Sequence, residues 1–332
     1  MMRSQNCRSG IPGKSRYALG MENPTKGSLP IQRWHWQVRV CEPLSLPLYA
    51  GSMLRGAFGH SLRRIACVTR QPSCVGCPVQ HSCSYSYLFE TPVPPEATML
   101  RRSPAAPHPL LIEAPWGVRR LEAGETFEFS MVIMGRALHA LPLIVLAWAH
   151  TCSGGMGGKR VPAVLVGYRA EGEMCWRDPM AATAYAAMGV TIPAAPHGPT
   201  HIRFATPFRA RKDGALCSPR DLRFRELISH LQRRWGLLQA FHEIGRPWEW
   251  DYQHALEQAA EISWEPLDAH WVDWSRYSSR QKQSMQLGGV VGTYRIPDEA
   301  LAKFWPLLYL GQWIHVGKNA SFGLGRYTLS NT

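Results

Sequence analysis

The first periodic pattern along the chain begins near Gln32. Residues 33–40 alternate polar and apolar side chains (Arg-Trp-His-Trp-Gln-Val-Arg-Val), and that period of two predicts a strand with one buried face. Pro43 and Pro47 break it. Over residues 50–66 the period becomes helical. Leu54, Phe58, Leu62 and Ile65 gather on one side, while His60, Arg63 and Arg64 fall away from it at i, i+3 and i+4. Residues 108–115 and 125–134 predict strands, 136–150 an apolar helix, and 161–175 holds a further strand. This is the order of a ferredoxin-like βαββαβ unit. A Pro- and Cys-containing insertion interrupts it at about 67–107.

The pattern then repeats. Residues 188–199, rich in Ala and Pro, predict a linker. Beyond it come a strand at 201–211 and a helix at 219–244 with Leu227, Leu231, Trp235 and Leu238 at helical spacing. Strands follow at 271–277 and 287–295, where Gly288, Gly289 and Gly292 point to a bulge or a close backbone approach. A helix at 298–310 is expected to be capped by Asp298, and strands at 312–316 and 325–329 to flank a glycine turn. The expected architecture is α+β: a mobile tail at 1–30, then tandem ferredoxin-like (RRM-like) domains at 31–187 and 200–332. The halves share pattern, not visible sequence identity.

Charge narrows the function. The net charge is +13, of which the tail supplies +4 through Arg3, Arg8, Lys14, Arg16 and Lys26 against Glu22. The remaining +9 on the body favours a polyanionic partner, because each neutralised phosphate releases counterions. With 45% hydrophobic and 18% charged residues, the composition is globular and excludes a disordered chain. The longest apolar run, 137–149, contains His139 and Pro142 and is too short to span a bilayer. No apolar secretory region opens the chain, so nine cysteines predict a cytoplasmic protein with reduced thiols and no membrane partner.

Three groups carry candidate chemistry. Near the C-terminus, Gly317, Gly323 and Gly325 permit close backbone approach, and Lys318 and Arg326 flank them, a composition suited to a phosphate backbone. The order G-x-x-x-x-G-K-[ST] is absent, which excludes a nucleotide-binding P-loop. Cys67, Cys74, Cys77 and Cys83 contain one CxxC. Their spacing permits a structural zinc ion, an iron–sulfur cluster or plain reduced thiols, but no catalytic metal, since four thiolates leave no open position. Arg276, Arg280 and Lys282 follow Trp271, Trp274 and Tyr277, a mixture suited to backbone contact and base stacking.

Several stretches together resemble the CRISPR-associated RAMP superfamily, and within it the Cas-six-type endoribonucleases that process precursor CRISPR RNA. They are residues 46–59 at the first helix, the insertion at 74–90, residues 274–292, and the glycine-rich segment 315–327. The resemblance implies tandem ferredoxin-like RAMP domains and cleavage of CRISPR repeat RNA, often a hairpin, without a catalytic cofactor. The ribose 2′-hydroxyl attacks the adjacent phosphate and leaves 2′,3′-cyclic phosphate and 5′-hydroxyl ends. Such a step needs proton transfer and cations on the phosphorane. His60 is the candidate for proton transfer and Tyr49 for orientation or acid catalysis, with Arg55, Arg63 and Arg64 beside them on the same helix. The same resemblance allows a non-catalytic subunit that holds guide RNA among other CRISPR effector subunits.

Overall fold

The computed structural model describes residues 29–331 except 98–99, 101–104, 184–188, 213, 243, 245–250 and 279–282. Residues 1–28 of the expected tail, Met188 of the expected linker, Arg280 and Lys282 lie outside the described residues.

Strand β1 (Ile31–Val40) turns Trp34, Trp36, Val38 and Val40 into a core, as its alternation requires. It pairs antiparallel with β3 (Thr126–Met134) and β4 (Ala163–Ala170), and β3 pairs with β2 (Leu110–Glu113). The sheet order is β2-β3-β1-β4. Helices α1 (Gly51–Ala66) and α2 (Leu141–Ser153) contribute Leu54, Phe58, Leu62 and Trp148 to the same core. The Trp148 ring lies 4.5 Å from Phe129, 4.9 Å from Phe58 and 6.0 Å from Trp36. Truncating this indole to Ala would cost about 3–5 kcal/mol. Arg63 and Arg64 occupy the last turn of α1, where cations complement the helix dipole.

The second unit has the same topology. Strand β5 (Thr200–Phe208) leads to α3 (Phe224–His242) and α4 (Tyr252–Glu261). Short strands β6 (Glu265–Pro266) and β7 (His270–Val272) both pair with β10 (Gly289–Ile296). Helix α5 (Asp298–Ile314) and β11 (Tyr327–Asn331) complete the order β6-β10-β5-β11. Between them β8 (Ser275–Ser278) and β9 (Gln283–Gln286) form a separate hairpin. The β10 register shifts between Val290 and Gly292, where Gly292 has φ +102° and a Cβ would lie 2.7 Å from the Asp268 carbonyl. That is the bulge and close approach expected from the glycines.

Two expectations fail locally, and one helix was not foreseen. Residues 312–314 finish α5 instead of starting a strand, because Leu310, Gly311 and Ile314 continue the buried helical face. Pro297, not Asp298, holds the N-cap position, with no side-chain cap bond. Helix α4 was not anticipated, since only Ala255 and Ala259 mark its buried side. No helix among the described residues is long and apolar enough to cross a membrane.

The two units share a seam. Ile31, Leu111, Val132 and Met134 of the first sheet belong to one buried cluster with Ile202, Leu227 and Leu308 of the second unit. The first sheet thus has α1 and α2 on one face and the second unit against part of the other.

Candidate nucleic-acid interface

The glycine-rich segment connects α5 to β11, and its geometry is that of a wedge between the units. Gly317, Gly323 and Gly325 all have positive φ (+84°, +89° and +68°). A Cβ at Gly323 would sit 2.0 Å from Tyr49 Oη and 2.2 Å from the Ile112 carbonyl. One at Gly325 would sit 1.7 Å from the Val316 carbonyl, and one at Gly317 2.9 Å from the Phe208 ring. Gly323 and Gly325 are buried. These glycines pack against protein: the space beside Gly323 is taken by Tyr49 and Ile112 and that beside Gly325 by Val316, which leaves no room there for the expected approach of an RNA backbone. Thr206 fixes the segment further, donating to the Gly323 carbonyl at 2.7 Å and accepting from the Arg326 N–H at 2.9 Å.

Tyr49 is buried where the units meet. Its hydroxyl donates to the Phe322 carbonyl at 2.5 Å, and burial pushes its pKa well above the phenol range. Its ring meets Trp116 at 5.2 Å and Trp274 at 5.6 Å. Trp274 directly precedes β8, so this aromatic cluster roots the hairpin that carries Arg276. A phenol in that position packs and positions the loop; it is poorly placed for acid catalysis. Arg55 is likewise engaged: its guanidinium lies 3.9 Å from the Phe89 ring centre and 5.3 Å from that of Phe322, and it donates to the Phe89 carbonyl at 3.3 Å.

Beneath the segment lies a buried charge network that the sequence did not reveal. Glu113, at the end of β2, accepts from Arg33 Nε at 2.8 Å and from His315 Nε2 at 2.9 Å, with Arg326 Nε at 3.8 Å. Burial alone would raise the Glu113 carboxyl. The His315 hydrogen bond and the Arg33 and Arg326 charges outweigh it and hold the pKa down at about 2. Burial, reinforced by Arg326 and Arg33, lowers the His315 pKa despite Glu113, so we assign a neutral imidazole bearing its proton on Nε2. Arg33 also pairs with Glu171 at 2.8 Å and donates to the Gln312 carbonyl at 2.8 Å. The signal available in sequence was a lone carboxylate closing the apolar run Leu110-Leu111-Ile112, since a buried charge demands a partner.

His60 lies exposed on α1, as does Arg64. Arg63 is half-buried, donating to the Gln71 carbonyl with its guanidinium 5.7 Å from the Tyr85 ring centre. Lys318 is exposed and Arg326 half-buried. Arg276 is paired with Met285 in the β8–β9 backbone register. The glycine segment touches α1 at Gly51, where a Cβ would meet the Phe322 carbonyl at 2.2 Å, and at Arg55. His60 is five residues beyond Arg55, about 7.5 Å farther along the axis.

Cys67, Cys74, Cys77 and Cys83 line one small cavity in the insertion. The Thr69 hydroxyl sits between two of the sulfurs, 3.9 Å from Cys67 Sγ and 3.4 Å from Cys77 Sγ. Among the described residues no group of three or more His, Cys, Asp or Glu is placed to hold a metal ion, so the expected zinc site is not supported. Among the described residues seven cysteines, these four among them, carry free thiols.

Comparison with known proteins agrees with this architecture. A family model of an N-terminal domain matches residues 29–183, and the model for the CRISPR-associated endoribonuclease Cas6 matches residues 202–327. No curated protein matches in sequence. A solved Cas6 product complex superposes with TM-score 0.54 at 18% identity, covering 92% of this chain and 100% of that one. A partial Cas6-RT-Cas1–Cas2 complex superposes with TM-score 0.56 at 13% identity over 93% of this chain. This chain spans 47% of that protein, and 30% of the one in the fuller Cas6-RT-Cas1–Cas2 complex. At these identities the structural likeness concerns the fold. The second unit thus matches the model of the CRISPR-associated endoribonuclease Cas6, and the fold of the chain is similar to that of a solved Cas6 protein along nine-tenths of its length.

Proposed function

We propose that this chain binds CRISPR repeat RNA, cuts it once at the repeat without a metal ion, and retains the product. The observation that carries this reading is the Cas6 family match on the second unit within a strongly basic chain. In the proposed step the 2′-oxygen attacks the adjacent phosphorus, the bond to the 5′-oxygen breaks, and that oxygen takes up a proton. The products are a 2′,3′-cyclic phosphate and a 5′-hydroxyl. His60 moves the proton, and Arg64 with Arg63 stabilises phosphorane charge at the same end of α1. Tyr49 and the three glycines serve by holding the loop, while Lys318 and Arg276 contact the RNA backbone outside the cut site.

A non-catalytic, guide-holding subunit is the second reading. It is favoured by one observation: the His60 side chain makes no hydrogen bond to a described residue that would orient its imidazole. Other CRISPR proteins are the partner class in either case, as the similar protein in the Cas6-RT-Cas1–Cas2 complex illustrates.

The test is cleavage of a labelled repeat RNA by the wild type and by His60→Ala. The substitution should slow cleavage by about 10²-fold or more with affinity preserved. Unchanged cleavage removes His60 from the mechanism, and a wild type that binds without cutting favours the second reading.

A further inference from the structure

Of the glycine-rich segment between His315 and Arg326, only Lys318 is exposed. Its backbone N–H is bonded to the Arg209 carbonyl at 3.4 Å, which fixes it at the end of β5, away from the Tyr49 contact. On the neighbouring face of α3 stands His230, its ring 5.8 Å from Phe208. His230 Nε2 accepts the Arg211 N–H at 3.3 Å, so the neutral ring carries its proton on Nδ1 as a donor. Arg211, Lys212 and Arg233 are exposed here. Burial above all lowers the His230 pKa; the backbone hydrogen bond with Arg211 and the Glu226 carboxylate oppose it, and the charges of Arg233 and Lys318 add to the lowering. Glu226 is the one acid among these influences. It is buried within α3 and lies 4.0 Å from Arg225. The corner therefore presents surplus cations around a proton donor, from three separate segments of chain. Such a surplus persists at a surface when its counterion is a ligand, and a phosphate matches both the charge and the donors.

We propose that Lys318, Arg211, Arg233 and His230 form a phosphate-binding site for the RNA backbone on the second unit, remote from the His60 end of α1. It rests on the RNA-binding reading above and assigns the loop's phosphate contact to Lys318 instead of to its buried glycines. The RNA held by this chain then spans from α1 to the outer corner of α3. The site anchors the strand and takes no part in proton transfer.

The test is the salt dependence of affinity for a labelled repeat RNA between 50 and 200 mM salt. The proteins compared are the wild type, Arg211→Ala/Arg233→Ala, Lys318→Ala, Lys318→Arg and the control Lys303→Ala on α5. The double variant should lower the steepness of log affinity against log salt by about 1.4–1.8, and Lys318→Ala by about half that. The wild type's advantage over the double variant should accordingly shrink about tenfold across this range. Lys318→Arg and Lys303→Ala should keep the wild-type slope. The substituted side chains are exposed, so thermal unfolding should be unaltered and a lost slope is not a folding defect. Wild-type binding with an unaltered slope in the double variant overturns this site alone. A wild type that binds no repeat RNA even at 50 mM overturns the proposed function and the site with it.

Discussion

Replacing Glu113 with Gln removes the charge at the centre of the network between the units. Two routes give its cost. A carboxyl held at about 2 in the fold against 4.5 unfolded contributes about 3 kcal/mol at neutral pH. Removing one partner of a buried pair typically costs about 3–5 kcal/mol. The lower end applies, because Arg33 keeps Glu171 at 2.8 Å. The folded pKa is depressed, so the stabilisation is complete above about pH 5 and is lost as pH falls through 4.5 towards 2. Urea denaturation of wild type and Glu113→Gln at pH 7 should differ by about 3 kcal/mol. The gap should narrow steadily between pH 5 and pH 3. A difference below about 1 kcal/mol at pH 7, or one that does not change with pH, would refute the assignment of an ionised Glu113 paired across the seam.

Other perturbations separate packing from chemistry. Tyr49→Phe keeps the ring contacts and loses one hydrogen bond, so stability should fall by about 1 kcal/mol. Its cleavage rate should stay close to wild type; a loss of 10²-fold would return the hydroxyl to the proton chemistry. Gly323→Ala combines a positive φ with a Cβ 2.0 Å from Tyr49 Oη and should destabilise by about 2–4 kcal/mol in urea melts. Arg64→Ala should lower the single-turnover cleavage rate with little effect on the thermal midpoint, because the side chain is exposed. An unaffected rate would place the phosphate elsewhere.

Much of the fold was legible because it is carried by local period. The alternation at Trp34, Trp36 and Val38 and the helical spacing of Leu54, Phe58 and Leu62 each report one buried face. What failed was short or weak in signal. Trp313 and Ile314 are an apolar pair that fits a strand or a helix end equally, and only Leu310 and Gly311 behind them settle it. Ala255 and Ala259 give α4 little apolar contrast, although Asp251 caps it by accepting from Gln253 and His254 N–H groups. The site was less legible than the fold because its contacts are long-range. Glu113 and His315 are 202 positions apart, and nothing near either names the other. The glycines were visible as backbone freedom, but sequence does not say whether that freedom admits a ligand or a tyrosine.

The most direct test of the central claim is incubation of the purified protein with a labelled repeat RNA in excess EDTA, followed by analysis of the product ends. The account predicts one cut, a 2′,3′-cyclic phosphate on the upstream fragment and a 5′-hydroxyl on the downstream one. Tight binding without a cut, or a cut that requires added magnesium, would contradict it.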